Sequence, residues 1–174
     1  VGYQVGNPQR VAIVGAGGGR DILSARLAGA SEIHAIELNA GIVEALRGPF
    51  SDFSGAVYEL PGVTPIIGEG RSVLTGSDGD YDVIQISMID SWAATAAGAF
   101  SLSENNLYTL EAYQLYWSRT SEHGLVATSR WMPDNKHGFE VLRLLELVKV
   151  ALEAEGVSTP QSHMAVIQGG HAAT

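Results

Sequence analysis

The chain has 174 residues, 45% of them hydrophobic, which is long enough for one domain with a real core. Ten basic residues against nineteen acidic ones give a net charge of -9; a nucleic-acid backbone is repelled by that field, and a cationic substrate suits it. The chain has no cysteine, hence no disulfide framework, thiolate nucleophile or zinc–cysteine site, and no run approaches the ~18 apolar residues of a membrane span.

In chain order, Arg10-Val11-Ala12-Ile13-Val14 reads as a β-branched strand that breaks into Gly15-Ala16-Gly17-Gly18-Gly19 and then a helix. Glycines at such a turn let the backbone come close to a ligand, and the helix start offers unpaired N–H groups. The dinucleotide fingerprint G-x-G-x-x-G would place its last glycine where Arg20 stands, so the loop fits the S-adenosylmethionine variant of this turn better than NAD. Gly15, Ala16, Gly17 and Gly19 are therefore cofactor-contact candidates. Asp21 in the first helical turn gains from the helix dipole whatever the function, and Ile22 to Leu27 continues the helix.

A second strand, Glu32 to Glu37, ends in an acid about 20 residues past the turn, the distance at which a carboxylate reaches ribose hydroxyls. Glu37 is the candidate ribose clamp, with Leu38 beside it. Ala40 to Leu46 reads as a helix, and Pro49 to Pro61, with Gly, Ser and Asp interspersed, as a loop. A third strand, Thr64 to Ile67, runs into Gly68-Glu69-Gly70, where Glu69 could accept from the adenine amine and Gly70 opens a short helix to Leu74. The fourth strand, Tyr81 to Ser87, leads into Met88-Ile89-Asp90 and puts Asp90 at the carboxyl edge where open α/β sheets bind ligands. Asp90 is the catalytic candidate, although an aspartate after a strand also caps the next segment.

Ala93 to Ala99 is small and apolar, a flap or a plain helical turn. Leu107 to Arg119 is amphipathic, Gly124 to Trp131 reads as strand five, and His137 to Glu155 carries Val141, Leu144, Leu145, Val148 and Leu152 at helical spacing. His163 to Gln168 reads as a last strand, followed by a Gly169-Gly170 hairpin whose return is nearly absent. The five histidines lack the spacing of a metal site, so none is expected. The order of parts implies a three-layer, Rossmann-like class I methyltransferase fold with a mostly parallel sheet and a truncated final antiparallel strand.

These segments, with Leu107-Tyr108-Thr109-Leu110-Glu111-Ala112-Tyr113 and Gly124-Leu125-Val126-Ala127-Thr128, resemble the spermidine synthase family of aminopropyltransferases from about Arg10 to Trp131. The resemblance implies that Glu37, in Glu37-Leu38-Asn39, holds the ribose and that Glu69 stands for the acid of a Gly-Asp-Gly motif near adenine. The family's fourth strand ends in Asp-x-x-Asp-Pro, whose two acids bind and deprotonate the amine. Here the run is Ser87-Met88-Ile89-Asp90-Ser91, and only the second acid is kept. The family's loop aspartate, which receives the aminopropyl ammonium, is matched by Gly18.

The expectation is one domain, residues 1–174, cut from a longer protein, because the chain opens on Val1 and the last hairpin is short. It would bind S-adenosylmethionine or its decarboxylated form and carry out methyl transfer or a diverged aminopropyl transfer to a small molecule, a cationic amine among the candidates. A cofactor sensor without turnover and an NAD-dependent oxidoreductase are the alternatives. The reading is cytoplasmic, with membrane association of the full-length protein and homodimerisation left open.

Overall fold

A computed structural model describes residues 2–89, 106–131, 139–169 and 172–173. After a 3₁₀ turn at Gly2–Gln4, the chain forms β1 (Arg10–Val14), α1 (Arg20–Leu27), β2 (Glu32–Glu37), α2 (Ala40–Arg47), α3 (Ser51–Ser54), β3 (Val63–Ile67), α4 (Gly70–Thr75) and β4 (Tyr81–Ser87). Then follow α5 (Leu110–Arg119), β5 (Thr120–Trp131), α6 (Phe139–Ala154), β6 (Gln168–Gly169) and β7 (Ala172–Ala173). The sheet order is β3-β2-β1-β4-β5-β7-β6. Strands β1 to β5 are parallel, and β7 runs antiparallel to both β5 and β6.

The central strands read as near-continuous apolar runs because helices cover both of their faces. On one face Val11, Ile13, Ile33, Ala35 and Val83 pack with Ile22 and Ala25 of α1, Val43 of α2, and Tyr3, Val57 and Tyr58. On the other, Ala12, Val14, Ile36, Ile84 and Ile86 pack with Leu74 of α4, Ala112, Tyr113 and Tyr116 of α5, and Ala151 of α6. Strand β3 lies at the edge, where Pro65, which has no N–H to give, is tolerated. Side-chain caps open the helices where the sequence places polar residues: Asn39 accepts from Gly41 N at 3.0 Å and Thr109 from Ala112 N at 3.2 Å.

The amino ends of the strands are tied by a polar network. Glu32 Oε1 lies 3.0 Å from Arg10 Nε and 3.1 Å from His34 Nε2, and His34 Nδ1 lies 2.7 Å from the Tyr81 hydroxyl. Asp82 accepts from the backbone N–H groups of Gln9 and Arg10 at 2.8 and 2.9 Å and from Ser121 Oγ at 3.1 Å.

Three sequence expectations need correction. The stretch Pro49 to Pro61 is not a plain loop: it holds α3 and a 3₁₀ turn at Val57–Glu59, and Val57 and Tyr58 sit in the core. The strand expected over His163 to Gln168 is confined to Gln168–Gly169, because Pro160–His163 forms a 3₁₀ turn and pairing with β7 involves only Gln168 and Gly169. Strand β5 starts at Thr120, directly after α5, rather than at Gly124. The Ala93 to Ala99 segment lies outside the described residues.

Candidate functional site

The site forms where β1, β2 and β3 end and the chain turns outward. Strand β1 does not stop abruptly: Gly15 N and Ala16 N both donate to the Ile36 carbonyl, at 2.9 and 3.0 Å. The loop closes with Gly19 N donating to Ala16 O at 2.9 Å, and Gly19 then caps α1, receiving Leu23 N at 3.0 Å. Gly19 holds φ +86°, and a Cβ there would stand 2.5 Å from Val57 Cγ2. Its identity is therefore fixed by packing against the β2–β3 connection as much as by any ligand. Among the described residues, no atom comes within 4 Å of a Cβ built at Gly18, and at Gly17 only the Gly15 carbonyl does, at 3.8 Å. The two middle glycines leave a free cradle.

Glu37, at the end of β2, is buried, yet both of its oxygens are in use: Oε2 accepts from Gly17 N at 2.9 Å and Oε1 from Asn39 N at 2.8 Å. The carboxylate thus bridges the glycine loop and the start of α2. Each oxygen keeps a second lone pair, the number needed to receive a pair of vicinal hydroxyls. Leu38 and Ile67, exposed and apolar, stand at the ends of the adjacent strands β2 and β3. They give a flat aromatic ring something to cover.

Glu69 has a structural use that the sequence did not announce. It is the N-cap of α4, accepting from Arg71 N at 2.9 Å and from Ser72 N and Oγ at 2.8 Å each. Gly70 is buried, and a Cβ there would run into Val14 Cγ1; its bare backbone lets α4 lie against β1. At the end of β4, Ile89 packs over the loop, 3.0 Å from a Cβ built at Gly15. Met88 adopts φ +45° and donates its N–H to Ser129 O at 2.9 Å. Asp90 lies outside the described residues.

One contributor was missed. Tyr58, fully buried, donates its hydroxyl to the Gly17 carbonyl at 2.8 Å. Burial, reinforced by the charge of Glu37, pushes its phenol well above the usual range, so the hydroxyl keeps its proton and remains a donor. The only sequence signal was an apolar pair, Val57-Tyr58, inside a polar stretch. A separate apolar cavity of about 550 Å³ opens between β5, α5, α6 and residues 162–167, and none of the candidate cofactor residues lines it.

The reversed strand β7 between β5 and β6 separates this sheet from the dinucleotide-binding order 3-2-1-4-5-6. The fold is that of the class I S-adenosylmethionine-dependent methyltransferases: a ribosomal protein L11 methylase from Lactobacillus delbrueckii subsp. bulgaricus superposes over 99% of this chain and 71% of its own, with a TM-score of 0.54 at 15% identity. Among proteins of this fold, the chain resembles spermidine synthases. Spermidine synthase from Thermotoga maritima matches 87% of the chain with a TM-score of 0.64 at 19% identity. A spermidine synthase in complex with the transition-state analogue AdoDATO gives the same TM-score at 20% identity. In sequence, a polyamine aminopropyltransferase from Korarchaeum cryptofilum (strain OPF8) is 25% identical over 122 residues, 70% of this chain. No protein-family profile matches the chain. The chain spans 35% of the curated relative and 46–47% of the two spermidine synthase structures.

Proposed function

We propose that residues 1–174 form an S-adenosylmethionine-binding transferase domain that carries out methyl transfer or a diverged aminopropyl transfer to a small, cationic acceptor. The observation that carries this reading is Glu37: a buried carboxylate at the carboxyl edge of the sheet, held by Gly17 N and Asn39 N with lone pairs to spare. The residues present fit the cofactor. The Gly17–Gly18 cradle admits close approach, Glu37 receives the ribose hydroxyls, and Leu38 and Ile67 cover one face of the adenine. Glu69 lies within the same edge and can receive the adenine amine while it caps α4.

When bound, the cofactor supplies an electrophilic carbon next to its sulfonium. The chain supplies alignment and exclusion of water, which together convert a slow encounter into an oriented displacement. The acceptor amine must attack as the neutral base, so Asp90 at the exit of β4 takes its proton, the kind of assistance worth ~10²–10⁴ in rate. The acidity of the whole chain favours accumulation of a cation. With Ser87 and Gly18 where aminopropyltransferases carry acids, methyl transfer from the intact cofactor is the favoured branch.

The test is calorimetry with S-adenosylhomocysteine, followed by product detection from a panel of amine acceptors with either form of the cofactor. Binding with turnover that Asp90→Asn abolishes, at unchanged cofactor affinity, supports the proposal. Binding without turnover on any amine turns the reading into a cofactor sensor, and failure to bind S-adenosylhomocysteine refutes it.

A further inference from the structure

We propose that Tyr58 is a positioning residue for the cofactor, its hydroxyl holding the Gly17–Gly18 peptide so that the Gly18 N–H points at the part of the ligand beyond the ribose. The inference rests on the cofactor reading given above. It is built from the two bonds that flank one glycine. The Gly17 N–H donates to Glu37 Oε2 at 2.9 Å, and the Gly17 carbonyl accepts from the Tyr58 hydroxyl at 2.8 Å. Peptides are planar and trans, so the C=O of Gly17 and the N–H of Gly18 lie on opposite sides of the same unit. With the carbonyl turned inward to Tyr58, the Gly18 N–H turns outward.

Among the described residues that N–H has no acceptor and nothing stands within 4 Å of a Cβ at Gly18. It faces open space one residue past the group that Glu37 grips. A ligand whose ribose sits on Glu37, with its adenine toward Leu38 and Ile67, extends its 5′ substituent along the glycine loop. The Gly18 N–H then meets the amino-acid tail, a carboxylate in the intact cofactor and a natural partner for a backbone donor.

A glycine has no side chain to resist rotation of its flanking peptides, so something else must hold this unit in one orientation. Tyr58 is well placed for that role: it is only 2% exposed and packs in the core with Ile22, Val43 and Val57. A phenylalanine keeps the ring and the packing but leaves the Gly17 carbonyl without its donor.

The experiment compares two probes on wild type and Tyr58→Phe: S-adenosylhomocysteine, which has the tail, and adenosine, which does not. Loss of one hydrogen bond's worth of positioning lowers affinity for S-adenosylhomocysteine about 2- to 12-fold and leaves adenosine affinity unchanged. Equal losses for both probes, or no loss for either, overturn the inference and leave the cofactor reading standing. Wild type that binds neither probe overturns both. A second measurement needs no variant: the Gly18 amide resonance of wild type is expected to move downfield with S-adenosylhomocysteine and not with adenosine, and the reverse pattern refutes the assignment.

Discussion

Replacing Glu37 by glutamine changes one oxygen into an NH₂ group and leaves the side chain's shape intact, which makes it a clean probe of the bridge between the glycine loop and α2. The wild-type carboxylate accepts two backbone N–H groups, at 2.9 and 2.8 Å. Hydrogen bonds to a charged group contribute about 1.5–3 kcal/mol each, against about 0.5–1.5 for neutral pairs. Glutamine can satisfy Gly17 N or Asn39 N but not both, and its NH₂ then opposes the other donor. The expected loss of stability is about 2–4 kcal/mol, read as a lower urea midpoint at unchanged slope. The ribose loses one of its two acceptors, so affinity for S-adenosylhomocysteine falls about ten- to a hundredfold by calorimetry. An unchanged urea midpoint would show that the bridge does not hold the loop. Equal affinity in the two proteins would remove Glu37 from the ligand site.

Gly70→Ala drives a methyl group into Val14 and is expected to cost about 1–3 kcal/mol, seen as a lower melting temperature with or without ligand. Glu69→Ala removes the cap of α4 and costs about 1 kcal/mol; if adenosine affinity also falls, Glu69 touches the adenine, and if it does not, capping is its whole contribution. Burial works to raise the pKa of Asp82, but its bonds from Arg10 N, Gln9 N and Ser121 Oγ outweigh that and hold it below 3.8. Its contribution to stability is therefore complete above that value and lost as pH falls through the folded-state pKa. Acid unfolding of Asp82→Asn should start from lower stability at neutral pH and lack this part of the acid loss; curves that stay parallel across the range would count against the argument.

Strands β2 and β4 were legible to the residue, because β-branched runs there are bounded by turn-forming neighbours. The carboxylate of Glu37 at the end of β2 was legible too, through its distance from the glycine loop, and the structure joins it to that loop at Gly17 N. The buried anchor at Val57 and Tyr58 was not, since two apolar residues among Gly, Ser, Asp and Pro carry no period, and their burial depends on Gly19 being bare of a Cβ. The capping by Glu69 was hidden for a different reason: an acid after a strand suits both an N-cap and a ligand, and only coordinates show which N–H groups it meets. At the other end, His163 to Gln168 has strand-like composition, but composition cannot say whether a partner strand lies alongside.

The polar knot at the amino ends of the strands bears on how such a domain tolerates change. Arg10, Glu32, His34, Tyr81 and Asp82 fasten β1, β2 and β4 to one another at the end remote from the glycine loop. Register is thereby set by groups that take no part in ligand contact. Loops at the opposite end can be lengthened, shortened or replaced without the strands losing alignment. Gly18 and Ser87 stand where the spermidine synthase family, by the resemblance, carries acids, and a scaffold aligned from its far end accommodates such differences.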